Sequence, residues 1–403
     1  MDYPSVYEIT KRLTKEEFSN QRLSAAGWVH NSKLVDAILR GDYYNIMPLH
    51  IELCSTYICN FNCSWCSCRK SRFENAGKNS LEYEELCQIL DECSKYNIGI
   101  QWTGGEPLCN KSTVDAISYG TALGIKQCLF TNGSKLTDKT IDELLASNLS
   151  FIRVSLNCST PAYHEKFHGN IARELSLDVL KGIENLCHSK IRAGSSVSIG
   201  VSIVVDSNNI NDLNNTIQYL SNLCCRNRGA IDYMILRAVN DDFEGVTTDK
   251  NDNFWNKYYE CVNGHILDEL RKENITIVMP NNVEMPHYKC ETCLGCSVFS
   301  EVAPDGTMFL CSDKYGNKEY AIGNILEDDL FTIWTSRLRE KTILQNKNCF
   351  SIGKCPHYSR GWYFNVLFNQ IERLREEEKM NLVSSWISEL QYLIPDLGHS
   401  FFI

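Results

Sequence analysis

Long apolar runs are missing from this sequence. No uninterrupted stretch approaches the ~20 residues that span a bilayer, so no membrane partner is expected. The opening residues, MDYPSVYEITKRLTKEEF, lack the apolar core of a secretory signal, and a reducing cytoplasm is the expected home. An excess of positive charge is missing too. Forty Lys and Arg stand against fifty Asp and Glu, a net charge of −10, so a general grip on nucleic-acid phosphates is not expected. Glycine and proline are sparse, 23 and 9 of 403 residues, and 43% of residues are hydrophobic. That composition excludes a fibrous or disordered chain and leaves ample material for a core. No internal repeat or low-complexity tract interrupts it.

Against these absences stand 20 cysteines. A disulfide scaffold is short and secreted, and this chain fits neither condition. Metal or iron–sulfur ligation is the alternative for some of them, and packing as small hydrophobes for the rest. The length of 403 residues suggests two domains, or one with an appendix.

The organisation is α/β. SKLVDAILR reads as an amphipathic helix ended by Gly41, and LHIELC as a strand running into CNFNCSWCSC. Ser80 reads as the N-cap of the helix LEYEELCQILDECSKY. Six strands are expected at about 49–54, 99–103, 126–131, 150–156, 197–205 and 231–238, separated by helical stretches. Such alternation indicates βαβ units and a parallel sheet that stops short of a closed eight-fold barrel. The expected architecture is a partial (β/α)6 barrel over 49–240, after an N-terminal extension, 1–48. A helix (about 252–273) and a strand (275–280) fill a connector, 241–287. A Cys-rich module (288–362) and a helical segment (363–403) complete the chain.

Cys59, Cys63 and Cys66 form C-x3-C-x2-C on the loop after the first strand. Three thiolates there can hold three irons of a [4Fe–4S] cubane and leave the fourth iron open to a small molecule. A zinc knuckle is the alternative, with Cys54 or Cys68 as a further ligand. TGGEP at 103–107 ends the second strand: Gly104 and Gly105 allow close backbone approach, and Glu106 can pair with an ammonium. TNG ends the third strand and RVSLN the fourth.

In this order the motifs resemble the radical S-adenosylmethionine superfamily, over about residues 49–240. The resemblance implies that the cluster's unique iron chelates the methionine moiety of S-adenosylmethionine. Reductive C–S cleavage then gives a 5′-deoxyadenosyl radical that abstracts a hydrogen atom. It further implies that Gly104, Gly105 and Glu106 receive the amino group, that Ser155 and Asn157 face the ribose or carboxylate, and that Val201–Val205 lies near the adenine. Relatives often carry Asp where this chain has Asn157.

The second group comprises Cys290, Cys293, Cys296, Cys311, Cys349 and Cys355. Asp305-Gly306 signals a hairpin that returns Cys311 toward Cys296. The pattern resembles the SPASM auxiliary-cluster module or its shorter relative, twitch. The resemblance implies Cys290, Cys296 and Cys311 as ligands, Cys355 or Cys349 as the fourth, and Cys293 as spare. Asn346 and Ser359 stand where a full SPASM ligand set has cysteines, so one auxiliary [4Fe–4S] cluster is expected, with two as the alternative. A structural zinc site is the alternative, disfavoured by the order in which this module follows the first.

Cys87, Cys93, Cys128, Cys187 and Cys261 are expected to be core thiols, Cys109 is weighed as approaching the site, and Cys158, Cys224 and Cys225 are weighed as hydrogen donors. His164 and His168 are expected on a surface loop, and Arg237 is a candidate for binding a substrate carboxylate or phosphate. The expected activity is that of an oxidoreductase or epimerase acting on a small molecule such as a sugar, aminocyclitol or nucleoside, supplied with electrons by a flavodoxin or ferredoxin. The first 45 residues are short for a leader-binding domain, yet maturation of a ribosomal peptide is the alternative. An iron–sulfur electron carrier is a third, disfavoured by the open three-Cys site.

Overall fold

A computed structural model of the chain describes residues 25–42, 46–66, 68–69, 77–147, 149–169, 172–239, 250–278, 293–345 and 360–393. The chain divides into two compact units, one formed by 53–90 and 102–282, the other by 1–52, 91–101 and 283–403.

The first unit is an open, partial barrel. Its strands are β1 (His50–Thr56), β2 (Gly99–Gly104), β3 (Gln127–Thr131), β4 (Phe151–Ser155), β5 (Ser198–Val205), β6 (Tyr233–Ala238) and β7 (Thr276–Val278), in that spatial order. The first residues of β1 and β2 belong to the other unit. β3 to β7 pair parallel throughout. The strand expected at 275–280 therefore extends the parallel sheet, and residues 250–278 of the expected connector lie in this unit. The helix expected over 252–273 is two, Asp252–Val262 and Ile266–Lys272, separated at Gly264.

The strands alternate in what they face. Ile152 and Val154 of β4 are fully buried, and Val154 borders Gly133 together with Val179 of the helix Ala172–Ala193. The opposite, inner face carries the partly exposed Arg153 and Ser155. On that face Gly200 of β5 pairs with Tyr233 of β6, whose ring lies across it; a Cβ on Gly200 would sit 1.9 Å from the Tyr233 Cζ. The crossing brings the Tyr233 hydroxyl 3.3 Å from Arg153 Nε, which donates to it.

One start signal fails. The helix after the cysteine loop runs Tyr83–Lys95, and Ser80 does not cap it. Ser80 instead forms a bridge to Thr56, and their hydroxyls lie 2.7 Å apart. The Glu85 carboxylate accepts the Glu82 N–H at 2.8 Å, as in the second half of a capping box.

In the second unit the helix Ser32–Arg40 is capped by the Asn31 side chain and ended by Gly41 in the left-handed region, φ 76°. Strands β8 (Phe299–Val302), β9 (Thr307–Phe309) and β10 (Ala321–Asn324) pair antiparallel, in the order β10-β9-β8-β1. Gly306 has φ 83°, and Thr307 N–H donates to the Asp305 carboxylate at 3.0 Å, so Asp-Gly makes the expected turn. Trp28, Leu34 and Ile38 share one core with Val298, Phe364, Phe368 and Ile387. The N-terminal extension and the C-terminal helices Arg360–Glu376 and Met380–Leu393 thus serve one core. Among the described residues no helix is long and apolar enough to cross a membrane.

Gly200→Ala is expected to lower stability by about 1–3 kcal/mol, because the new methyl overlaps the Tyr233 ring. Urea denaturation measures this, and adding Tyr233→Val should recover most of the loss.

Candidate active site

The cysteine loop leaves β1 at its C-terminal end, where parallel α/β sheets gather their ligands. Cys59, Cys63 and Cys66 are all partly exposed. Cys59 Sγ accepts the Phe61 N–H at 3.4 Å. Asn60 and Asn132 are joined at 2.9 Å, and Asn60 reaches Ser134 at 2.7 Å, which ties the cysteine loop to the TNG turn.

TGGEP packs tightly against the same loop. Gly105 N–H donates to Thr56 O at 2.8 Å, and Glu106 N–H to Ile58 O at 2.9 Å. A Cβ on Gly105 would lie 2.4 Å from the Ile58 carbonyl oxygen; one on Gly104, at φ 122°, would lie 2.4 Å from Cys54 Sγ. Only glycine permits this approach. Glu106 is 1% exposed, and its carboxylate accepts Thr131 Oγ1 (2.7 Å), Asn132 N–H (2.7 Å) and Leu108 N–H (3.1 Å). The carboxylate is thus a buried brace between the second and third strand ends. Burial pushes its pKa up to about 7, against those three donors.

His168 is a residue that sequence reasoning misplaces. It and His164 are buried, 2% and 1% exposed, on the helix Pro161–His168. The helix folds back over the cysteine loop: Asn62 N–H donates to His168 O at 2.9 Å, and Trp65 Nε1 to Phe167 O at 3.2 Å. His168 Nδ1 lies 3.0 Å from Cys63 Sγ, and its Nε2 lies 3.4 Å from Asn157 Nδ2. Asn157 Oδ1 accepts the Val204 N–H at 2.7 Å, so Nδ2 is the nitrogen that donates to His168. The network therefore assigns the imidazole proton to Nδ1, aimed at the Cys63 sulfur. Burial holds the ring's pKa well below 6.5 and keeps it neutral. Asn157, expected to face a ligand, is itself 1% exposed. Ser155 stays partly exposed on the inner face.

Asp212, absent from the sequence-level candidates, is fully buried and anchors this layer. Its carboxylate accepts the N–H groups of Ser159 and Thr160 at 2.9 and 3.0 Å and also bonds the Thr160 hydroxyl. No local sequence signal points to it.

In the second unit, Cys296 is buried and Cys311 and Cys293 are partly exposed. Cys296 Sγ donates to the Cys293 carbonyl at 3.2 Å. A side-chain hydrogen bond with Cys293, burial, and the charges of Cys293 and Cys311 raise its pKa, while Arg339 lowers it. Cys290, Cys349 and Cys355 lie outside the described residues. Cys93, Cys128, Cys187 and Cys261 are buried, as expected of core thiols, whereas Cys87 is partly exposed. Cys158 is buried with Phe167 and Val204, beside Trp65; Cys224 is buried, Cys225 exposed and Cys109 partly exposed.

The donor set fits an iron–sulfur cluster: a cubane takes separate thiolates at its corners, and here two of the three sulfurs have N–H groups directed at them.

Comparison with known families agrees. Residues 53–220 match the radical SAM superfamily, and residues 290–357 match SPASM, an iron-sulfur cluster-binding domain. The chain belongs to the radical SAM superfamily and carries a SPASM domain. Its cofactors are accordingly a [4Fe–4S] cluster with S-adenosylmethionine and auxiliary iron–sulfur clusters. It is 25% identical over 317 residues to the AdoMet-dependent heme synthase of Methanosarcina barkeri, covering 72% of this chain and 84% of that protein. It is 24% identical over 174 residues to the PqqA peptide cyclase of Bradyrhizobium diazoefficiens, 43% of each chain. The fold resembles Streptococcus suis SuiB bound to S-adenosylmethionine, with TM-score 0.57 and 17% identity over 80% of this chain and 75% of that one.

Glu106 yields a pH test. Its folded pKa, about 7, lies above the ordinary 4.5, so the folded chain binds more protons between these values and stability falls as pH rises through them. The stability advantage of wild type over Glu106→Gln should shrink between pH 5.5 and pH 8, measured as the difference in urea midpoint.

Proposed function

We propose that Cys59, Cys63 and Cys66 hold the radical-generating cluster and that the enzyme removes a hydrogen atom from a carbon of a small-molecule substrate, leading to its oxidation or epimerisation. When bound, the cluster and S-adenosylmethionine supply the 5′-deoxyadenosyl radical. The chain's own residues do the rest. Gly104 and Gly105 bring the TGGEP backbone against the cysteine loop, Glu106 locks that turn to Asn132, and His168 directs its Nδ1–H at Cys63. The observation that carries the reading is this assembly of thiols and a glycine cradle at one edge of the sheet, each joined to the next by hydrogen bonds.

Cys290, Cys296 and Cys311, with Cys355 or Cys349, are proposed as ligands of one auxiliary cluster, Cys293 being spare; two clusters are the alternative. A flavodoxin or ferredoxin is the proposed electron donor. The small-molecule reading is supported by relatives named for heme synthesis and for GTP 3′,8-cyclisation, the latter 26% identical over 172 residues. Peptide maturation is the second reading, supported by the match to a peptide cyclase.

Anaerobically reconstituted wild type, given dithionite and S-adenosylmethionine, should release 5′-deoxyadenosine. Replacing Cys59, Cys63 and Cys66 by Ala should abolish release and lower bound iron from about eight atoms to about four. Wild type with full iron and no 5′-deoxyadenosine would overturn the proposal. Deuterium transfer into 5′-deoxyadenosine from labelled small molecules or from labelled peptides separates the two readings.

A further inference from the structure

Among the described residues, the inner face of the sheet holds two arginines that no carboxylate pairs with. In register, Arg153 of β4 pairs across Gly200 with Tyr233, while Arg237 of β6 pairs with Val204, two rows further along. The row between them carries Ser155, Ser202 and Ile235, all partly exposed. Arg153 is held in place by aromatic faces, 4.3 Å from the Phe130 centroid and 5.4 Å from that of Phe151, and by the Tyr233 hydroxyl. Arg237 has no such support. Among the described residues it makes no ion pair or hydrogen bond, and its charged neighbour is Arg153, which repels it.

The third element is Tyr258, on the helix Asp252–Val262. It is 1% exposed, its hydroxyl has no hydrogen-bond partner among the described residues, and it lies within electrostatic reach of Arg237. Buried donors without partners are costly, and so is an unpaired guanidinium in a chain whose carboxylates outnumber its basic groups by ten. Arg237 and the Tyr258 hydroxyl are thus donors without a partner among the described residues, and an acceptor carrying negative charge would satisfy both.

Resting on the function proposed above, we propose that Arg237, the Tyr258 hydroxyl and Arg153, with Ser155 and Ser202 between, form a subsite for an anionic group of the substrate, a carboxylate or phosphate. The subsite adjoins the cysteine loop through bonded neighbours: Cys63 to His168, His168 to Asn157, Asn157 to the Val204 amide, and Val204 beside Arg237. A substrate anchored by its anion at Arg237 is thus held at the edge where the radical would form. The planar guanidinium suits a two-oxygen acceptor, and the phenol adds a third donor.

The test titrates the reconstituted full-length protein with inorganic phosphate, without reductant, by calorimetry and by the shift in Tm. Wild type should show one saturable site and a Tm that rises with phosphate. Arg237→Gln should weaken binding by at least about tenfold, Arg237→Lys less, and Tyr258→Phe by several-fold. Arg237→Gln should also raise the anion-free Tm, since it removes an unpaired charge, which rules out misfolding as the cause of lost binding. Phosphate affinity should be the same with saturating S-adenosylmethionine; competition would assign the site to that molecule's own carboxylate and overturn the substrate assignment. Undiminished binding in Arg237→Gln, or no saturable site in wild type, would overturn the subsite itself. Failure of the functional reading shows separately, as absence of 5′-deoxyadenosine from wild type.

Discussion

A single buried carboxylate holds the reactive edge of the sheet together. Glu106 leaves β2 beside two glycines that lie against the carbonyls of Thr56 and Ile58, and its oxygens take up the hydroxyl and amide of the next strand's TNG turn. Three successive strand ends are thereby fixed to one another. The cysteine loop leaves from the first of them, so its thiols are placed by a framework that does not depend on the loop itself. Burial disfavours the charge, the three donors favour it, and burial outweighs them, so the pKa stays raised. Carboxylates buried without such donors would take up a proton and lose their grip on the amides.

A second layer covers that edge. Asp212 gathers the amides that open the helix Pro161–His168, and the helix delivers His168 to Cys63 and to Asn157. A neutral ring whose one N–H faces sulfur stabilises negative charge there without adding a positive charge of its own. The inner face beyond Val204 changes character and turns basic, with Arg153 and Arg237 set among small hydroxyls.

Strands and their order were readable because parallel strands buried on both faces announce themselves as apolar runs between helices. The cysteine loop, TGGEP and the Asp305-Gly306 turn were readable for the same reason: each is a local pattern with a local cause. What escaped is long-range. Ser80 looks like a cap but pairs with Thr56, 24 residues away. His168 looks like a loop residue but meets Cys63 across 105 positions. Glu106 reads as a partner for an ammonium, and its bond to Thr131, 25 residues onward, has no sequence signal. Periodicity carries no information about such pairings, because a side chain's partner depends on which strand ends the sheet brings together.

The described cysteines now have different surroundings as well as different spacing: a partly exposed trio on one loop, Cys293, Cys296 and Cys311 beside the hairpin, and thiols packed in the core. The central claim is that the trio leaves one iron open to S-adenosylmethionine. Electron paramagnetic resonance of the reduced, fully loaded protein tests it most directly. Adding S-adenosylmethionine should change the signal of one cluster and leave the auxiliary signal unaltered, and the change should vanish in a variant lacking Cys59, Cys63 and Cys66. A spectrum indifferent to S-adenosylmethionine, with all iron in place, would contradict the account.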